Sequence, residues 1–307
     1  MYETVEKLIA AAQAANKPIS ALVLSWQAQA LETSEEALYE QMRGHYAVMA
    51  QAVAAGSQPG VRSASGLSGG DAHKMAAAVQ AGGTLCGGLL PAALAKALAV
   101  SEWNAAMGRI VAAPTAGSCG ILPAAVLTLQ EARGLPERPC VMSLFTAAAV
   151  GLVVAQNASI SGAEGGCQAE CGTASAMAAA ALVELCGGTP AQAGHAVSIA
   201  LKNVLGLVCD PVAGLVEIPC ILRNASGAAG AFVAAELALA GVESAIPADE
   251  AIWAMKRVGD AMPASLRETA EGGLAATPTA KRLFEQVFGS AADPCAPGGC
   301  AACGACR

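Results

Sequence analysis

The chain has 307 residues, enough for one large helical domain or two modest ones with a sizeable core. Hydrophobic residues make up 55% of it but aromatic residues only 3%, so we expect close-packed helices rich in alanine and glycine instead of a bulky aromatic core. The net charge of −7 and the scattered positions of the 17 lysines and arginines argue against a nucleic-acid partner.

Two long apolar stretches raise the alternative of a membrane protein. Mean hydropathy is +0.50, and residues 110–130 and 141–163 are long enough to span a bilayer. Both contain polar, turn-rich segments, and neither has the aromatic belts or the flanking Lys/Arg asymmetry of a membrane span. The first 18 residues also lack the basic-then-apolar order of a secretory signal. A buried helical core, a cytoplasmic location and no membrane partner are therefore expected.

Helix signals dominate along the chain. The N-terminal segment reads as an amphipathic helix, and four further helix starts are expected at Thr33 with Glu36 in a capping box, at Thr189–Pro190, at Pro247 and at Thr277–Pro278. Three of these helices are expected to end near Gly56, Gly206 and Gly289. No run of alternating apolar and polar residues indicates a strand. The fold class is therefore predicted as all-α.

Four glycine-rich stretches interrupt the helices, over residues 63–71, 113–120, 159–172 and 207–220. Glycine lowers helix stability, so these stretches indicate backbone that approaches a ligand closely. A turn rich in Ser, Thr and Gly that leads into a helix can also hold a carboxylate on its free N–H groups. The alternative is that they are simple linkers between helices. Residues 290–307 have low complexity and no apolar face, and are interpreted as a cysteine-rich tail.

The chain carries 12 cysteines. Without a secretory signal a disulfide framework is not expected, and cysteines beside glycines point to metal, cluster or redox roles. Cys167, Cys209 and Cys220 each lie in or beside a turn that contains glycine or proline. Three thiolates on rigid turns can hold three irons of a [4Fe–4S] cluster and leave the fourth open as a Lewis acid, although these cysteines are far apart in sequence. Three others are interpreted as small buried hydrophobes, namely Cys86, Cys140 and Cys186.

Five segments resemble the α chain of bacterial iron–sulfur L-serine dehydratase: SGLSGGDAHKM, APTAGSCGILPA, NASISGAEGGCQAECG, LKNVLGLVCDPVAGLVEIPCILRNA and MPASLRETAEGGLAATPTA. The resemblance spans about Gly60 to Lys281. It implies a helical catalytic domain over residues 1–289, with N-terminal helices over about 1–56, and an ammonia-lyase that converts L-serine to pyruvate and ammonia. It further implies that Cys167, Cys209 and Cys220 ligate the [4Fe–4S] cluster. Cys171 is interpreted as a structural neighbour of Cys167, and Cys119 as a residue that lines the pocket.

The implied reaction also needs a base for the α-proton and groups that hold the substrate. Asp71, His73 and Lys74 lie inside a family motif, and His73 is the best placed of the three histidines, with a structural role on a helix face as the alternative. His45 and His195 are interpreted as structural. Hydroxyl groups expected to bind the substrate carboxylate are those of Ser63, Ser65, Ser68, Thr115 and Ser118.

Single-chain relatives of the family carry an additional N-terminal domain, so the resemblance implies a separate β chain in a heterodimer or higher oligomer, which could supply the base. Some relatives place a terminal cysteine on the open iron, and Cys306 is the candidate here, the alternative being a metal-scavenging tail without a defined role. Two rival functions stay open: a related cluster-dependent lyase such as an L-cysteine desulfidase, and an electron carrier. For the latter, Cys295, Cys300 and Cys303 have ferredoxin-like spacing.

Overall fold

The structure is a computed structural model that describes residues 2–289 of the chain. Its α-helices, in chain order, are α1 (Val5–Ala15), α2 (Ile19–Ala30), α3 (Glu35–Gly56), α4 (Asp71–Gln80), α5 (Leu89–Ala105), α6 (Ile121–Arg133), α7 (Glu137–Asn157), α8 (Gly162–Gly165), α9 (Thr173–Leu185), α10 (Pro190–Lys202), α11 (Cys220–Leu239), α12 (Ala248–Ala261) and α13 (Pro278–Phe288). Within residues 2–289 the only strand-like pairing is an isolated parallel bridge between Cys209 and Arg267. The prediction of an all-α fold is confirmed.

Helix α9 lies at the centre of the molecule. Residues 173–183 are all buried, and α6, α7, α10 and α11 pack around them. A helix that is apolar on every side belongs in a core, and the many alanines of α9 let the neighbouring helices approach closely. This packing explains how a chain with so few aromatic residues builds a dense interior.

The remaining helices cover this centre. Helix α2 packs on α7, α3 packs on both α5 and α7, and α4 and α5 extend the layer that contains α11. Helix α12 packs on α10, and α1 contacts both of them. Among the described residues, α7 alone is long and apolar enough to cross a membrane, but 67% of its most apolar window is buried inside the fold. That burial favours the expected core helix.

Three of the four expected helix starts are confirmed. The Thr189 hydroxyl accepts from the Gln192 N–H and the Gln192 side chain returns the bond, which completes a capping box at the start of α10. Helix α12 begins directly after Pro247. Helix α13 begins at Pro278 with Thr277 as its cap. These starts were predictable because a proline marks each of them in the sequence, preceded at two of them by a threonine that caps the helix.

The capping box expected at Thr33 is wrong. The Ser34 hydroxyl caps α3 by accepting from the Ala37 N–H, and α3 begins at Glu35. Thr33 instead lies in the turn after α2, where its N–H donates to the Ala28 carbonyl at 3.0 Å and closes the end of that helix. Thr33 and Ser34 are adjacent hydroxyl residues. Because Thr33 bonds to the end of α2, Ser34 is the one that caps α3.

Three of the glycine-rich stretches precede central helices. Residues 113–120 lead into α6, residues 159–172 into α9, and residues 207–220 into α11. The Asn224 side chain joins α11 to the first of them, since its amide donates to the Gly117 carbonyl at 2.7 Å and its oxygen accepts from the Gly120 N–H at 2.8 Å. The starts of α6 and α11 are thereby held together beside the candidate site.

Candidate active site

Buried sulfur atoms meet at the start of α9. The Cys167 and Cys171 sulfurs are 3.7 Å apart. The Cys167 sulfur, the Cys209 sulfur and a carboxylate oxygen of Glu170 all lie within 4.8 Å of one another. Cys220 is the first residue of α11 and is only 7% exposed. It is close enough to Cys167 that the Cys167 thiolate contributes to the raised pKa of its thiol. Cysteines from two separate connections, the one between α8 and α9 and the one between α10 and α11, are therefore gathered around Cys167.

The backbone at these cysteines is irregular. Residues Gln168–Gly172 form a π-helical turn between α8 and α9, a form that is rare and often found at functional sites. A Cβ atom on Gly162 would lie 2.7 Å from Glu170 Oε2 and 2.9 Å from Cys209 Sγ, and one on Gly117 would lie 3.3 Å from Glu170 Oε1. The glycines therefore allow backbone to approach the reactive groups closely, as expected from the sequence.

The Cys209 turn is held from two sides. Its N–H donates to the Leu266 carbonyl at 2.8 Å, and its carbonyl accepts from the Glu268 N–H at 2.7 Å. The next residue, Asp210, accepts from Arg223 on α11 at 2.8 Å and from the Leu274 N–H at 2.7 Å. Arg223 also donates to the Val208 carbonyl at 2.8 Å. Both ends of the turn are thus fixed by hydrogen bonds, which positions the Cys209 sulfur.

The thiols influence one another strongly. Hydrogen bonds from Cys171 and then Cys209, with the positive charge of Arg223, hold the pKa of Cys167 well below its usual range. The same hydrogen bonds, followed by burial, raise the pKa of Cys171 and Cys209. Burial raises the pKa of Cys220 to about 12. Cys167 is therefore a thiolate that accepts from neighbouring thiols, a donor set whose remaining protons a metal ion can displace.

Glu170 is a functional candidate that the sequence reasoning missed. Burial, and then the nearby Cys167 charge, raise its pKa to about 7, while a hydrogen bond from Thr115 opposes that rise. It follows Cys167 by three residues, and this spacing places two helical residues on one face. That spacing was the available signal. Thr115 in turn lies 3.1 Å from Ser118 through their hydroxyl oxygens, so one predicted substrate-binding hydroxyl contacts Glu170 and a second lies beside the first.

Of the other three predicted hydroxyls, two donate to a different carboxylate and the third contacts one of those two. The Ser65 and Ser68 hydroxyls donate to the two oxygens of Glu217 at 2.7 and 2.6 Å, and the Ser63 oxygen lies 3.2 Å from that of Ser65. Glu217 lies three residues before Cys220. The serine-rich loop of residues 63–70 is therefore attached to the turn that carries a predicted cluster ligand.

Asp71, His73 and Lys74 lie on the exposed surface of α4. His73 Nδ1 is 3.2 Å from the Ser57 carbonyl, and Lys74 pairs with Asp71 at 2.7 Å. No hydrogen bond or ion pair among residues 2–289 joins these three to the clustered cysteines. Their catalytic role stays a prediction, and their placement gives it no contact with the cysteines.

The remaining histidines and cysteines have varied surroundings. His45 is exposed, and His195 Nδ1 accepts from the Ser244 N–H at 3.1 Å. Cys119 is fully buried in a small apolar cluster. Cys140 is also fully buried, and Cys186 is half-buried. The expectation of a buried Cys86 is wrong: it is exposed, because it lies in the glycine-containing connection between α4 and α5, where no helix covers it. Cys295, Cys300, Cys303 and Cys306 lie outside the described residues.

The serine dehydratase alpha chain family model matches residues 14–275, which include all four glycine-rich stretches and the clustered cysteines. The chain belongs to this family. A probable L-serine dehydratase alpha chain of Bacillus subtilis (strain 168) is 50% identical over 291 residues, 95% of this chain and 97% of that protein. The L-serine dehydratase alpha chain of Peptoniphilus asaccharolyticus is 54% identical over 202 residues, 66% of this chain and 69% of that protein.

An L-serine dehydratase of Escherichia coli (strain K12) is 50% identical over 181 residues, 58% of this chain and 40% of that protein. Membership of the serine dehydratase alpha chain family makes the chain an enzyme. The resemblance noted in the five sequence segments is thereby confirmed, and an enzyme is favoured over an electron carrier.

Proposed function

We propose that the chain catalyses the dehydration of L-serine to pyruvate and ammonia, with a [4Fe–4S] cluster held by Cys167, Cys209 and Cys220. The observation that carries this proposal is the meeting of buried cysteines from two separate connections in a member of the serine dehydratase alpha chain family. Cysteine thiolates are the usual ligands of iron–sulfur clusters. The family membership supports the reaction, and the grouping of the cysteine sulfurs supports the cofactor.

The donor set fits such a cluster. Cys167 already favours the thiolate form, and the other thiols are buried with raised pKa values, so metal binding would release their protons. When bound, the cluster supplies an iron with an open coordination position, a Lewis acid that assists departure of the substrate hydroxyl. Cys171 then keeps its proton and donates to the Cys167 sulfur, the role of a structural neighbour.

Removal of the α-proton requires a base near the clustered cysteine sulfurs. Among the described residues Glu170 has this position, with a carboxylate oxygen within 4.8 Å of two cysteine sulfurs and a hydrogen bond from Thr115 that orients it. His73 remains the alternative from this chain, although it is exposed on α4. We assign the proton transfer to Glu170, with its carboxylate oxygen as the accepting atom.

A separate β chain is the proposed partner. Two relatives that align over most of their own length are called alpha chains, and the E. coli relative extends well beyond the matched segment. A cytoplasmic location also belongs to the proposal, because free thiols that bind iron persist in reducing compartments. L-cysteine desulfidation is the alternative reaction, and assays with serine, threonine and cysteine separate it from dehydration.

The decisive experiment uses anaerobically purified chain, with and without a co-expressed β chain. Iron, acid-labile sulfide and pyruvate formation are measured for the wild type and for Cys167→Ala, Cys209→Ala and Cys220→Ala. Each variant is expected to lose the cluster absorbance and pyruvate formation together. Cys140→Ala is the matched control, since Cys140 is fully buried in α7. A Cys209→Ala variant with full iron content and full activity would contradict the assignment.

A further inference from the structure

The loop of residues 63–70 surrounds a buried carboxylate. Glu217 is 6% exposed, and its two oxygens accept from the hydroxyls of Ser65 and Ser68. None of the ion pairs among residues 2–289 involves Glu217. A buried carboxylate without a cationic partner is unfavourable, because burial removes the water that would otherwise stabilise its charge. Within the described part of the chain, Glu217 therefore has hydroxyl partners but no counter-charge.

The hydrogen bonds of the loop leave no hydroxyl proton free. An ionised carboxylate only accepts, so Ser65 and Ser68 both donate to Glu217. The one proton of the Ser65 hydroxyl is then used in its bond to Glu217. The Ser63 hydroxyl must therefore donate to the Ser65 oxygen, which lies 3.2 Å away. Backbone N–H groups of Leu67 and Ser68 donate to Ser65 and Ser63 as well. The spare capacity of the network consists of acceptor lone pairs on Ser63, on Ser68 and on the Glu217 oxygens themselves.

A network with a negative charge and only acceptors to offer does not suit a substrate carboxylate. It suits an ammonium group, which carries three donors and a positive charge. We propose that Glu217, with Ser68 beside it, binds the α-ammonium group of the amino-acid substrate. This inference rests on the proposed function, and it replaces the expectation that Ser63, Ser65 and Ser68 bind the carboxylate.

Glu217 belongs to the turn that borders the candidate active site. Its carbonyl accepts from the Ile221 N–H at 3.0 Å, in the turn that starts α11 at Cys220. A Cβ atom on Gly117 would lie 3.5 Å from Val216 and 3.3 Å from Glu170. The residue before Glu217 and the carboxylate beside the cysteines therefore border the same glycine. On the proposal, this shared border brings the Glu217 network next to a substrate held at the cysteines.

The test separates the two ends of the substrate with two inhibitors. Ethanolamine has the hydroxyl and ammonium groups of serine without the carboxylate, and 3-hydroxypropanoate has the hydroxyl and carboxylate groups without the ammonium. The holoenzyme with its β chain is prepared as the wild type, Glu217→Gln and Ser68→Ala. Glu217→Gln should raise KM for L-serine and the inhibition constant of ethanolamine by about 10- to 100-fold, the effect of losing a hydrogen bond to a charged group. The inhibition constant of 3-hydroxypropanoate should change less than about twofold.

A matched control is Glu184→Gln. Glu184 also accepts from a hydroxyl, that of Thr146 at 2.6 Å, but lies at the opposite end of α9 from the cysteines. The inhibitor selectivity of the Glu184→Gln enzyme should equal that of the wild type. Iron content and circular dichroism report folding, and Ser68→Ala provides a second reading if Glu217→Gln does not fold, with a smaller shift in the same direction.

Two results overturn the assignment. Equal weakening of both inhibitors would make Glu217 a structural residue, and weakening of 3-hydroxypropanoate alone would return the serines to the carboxylate. A wild type that forms no pyruvate from serine would instead refute the proposed function, and this assignment with it. A changed inhibitor selectivity in Glu217→Gln, together with an active wild type, supports both the proposed function and this assignment.

Discussion

Adding one methyl group at Gly162 tests how closely the site is packed. In Gly162→Ala the new Cβ would lie 2.7 Å from Glu170 Oε2 and 2.9 Å from Cys209 Sγ, whereas ordinary contact begins at 3.4 Å. The Glu170 oxygen must therefore move by about 0.7 Å and the Cys209 sulfur by about 0.5 Å, if neither backbone segment shifts. Both atoms belong to groups assigned to the chemistry, so the strain falls on the site itself.

The magnitude of the effect follows from these displacements. Overpacking of this kind lowers the free energy of unfolding by about 1–3 kcal/mol. A misplacement approaching 1 Å at a reacting centre lowers the rate by about 10- to 100-fold. We expect Gly162→Ala to form pyruvate at about one tenth of the wild-type rate or less, with a smaller loss of iron.

Gly44→Ala is the matched control, because nothing lies within 4 Å of a Cβ atom at Gly44. Gly44 lies inside α3, so alanine there should raise the free energy of unfolding by about 0.5–1 kcal/mol and leave activity unchanged. Urea unfolding, iron content and initial rates of pyruvate formation are measured for both variants. A Gly162→Ala enzyme with wild-type activity and wild-type stability would refute the close packing on which the site is built.

Three further predictions follow from the same contacts. Glu170→Gln should lower kcat by about 100-fold or more while iron content stays at the wild-type level, as measured by steady-state kinetics and iron assay; retained kcat would remove Glu170 as the base. Asp210→Ala should lower the free energy of unfolding, measured in urea, by about 3 kcal/mol, because it removes the carboxylate partner of the largely buried Arg223. Truncation after Ala292 removes Cys306; if a tail thiolate binds the open iron, the truncated enzyme should lose cluster faster in air, and equal lability would count against that role.

Local signals in the sequence predicted much of the fold. The starts of α10 and α13 are marked by capping residues close together in the chain, Thr189 with Gln192 and Thr277 with Pro278. The local sequence is therefore enough to predict them. Thr33 failed because a hydrogen bond to Ala28 in the preceding helix outweighed its own capping signal. The alanine-rich composition also pointed correctly to close helix packing around α9.

The site was predictable only in part. Glycine- or proline-containing turns and the family resemblance singled out Cys167, Cys209 and Cys220. Glu170 was missed because its closeness to Cys209 depends on a π-helical turn and on the missing side chain of Gly162. Glu217 was missed because its partners lie about 150 positions earlier in the chain, and no local pattern records such a contact.

The buried polar side chains explain how so many glycine-rich loops persist in this fold. Loop backbone cannot satisfy its own N–H and C=O groups, and burial makes an unpaired group costly. Glu102, Gln168 and Asn224 are at most 1% exposed, and each bonds to two or more backbone groups of the loops. Gln168 donates to the Gly165 and Met255 carbonyls and accepts from the Gly206 N–H. Glu102 accepts from the N–H groups of residues 70–72. Single helix-borne or turn-borne side chains thus replace the missing helical bonds of whole loops, which lets the chain hold irregular backbone rigidly beside the cysteines.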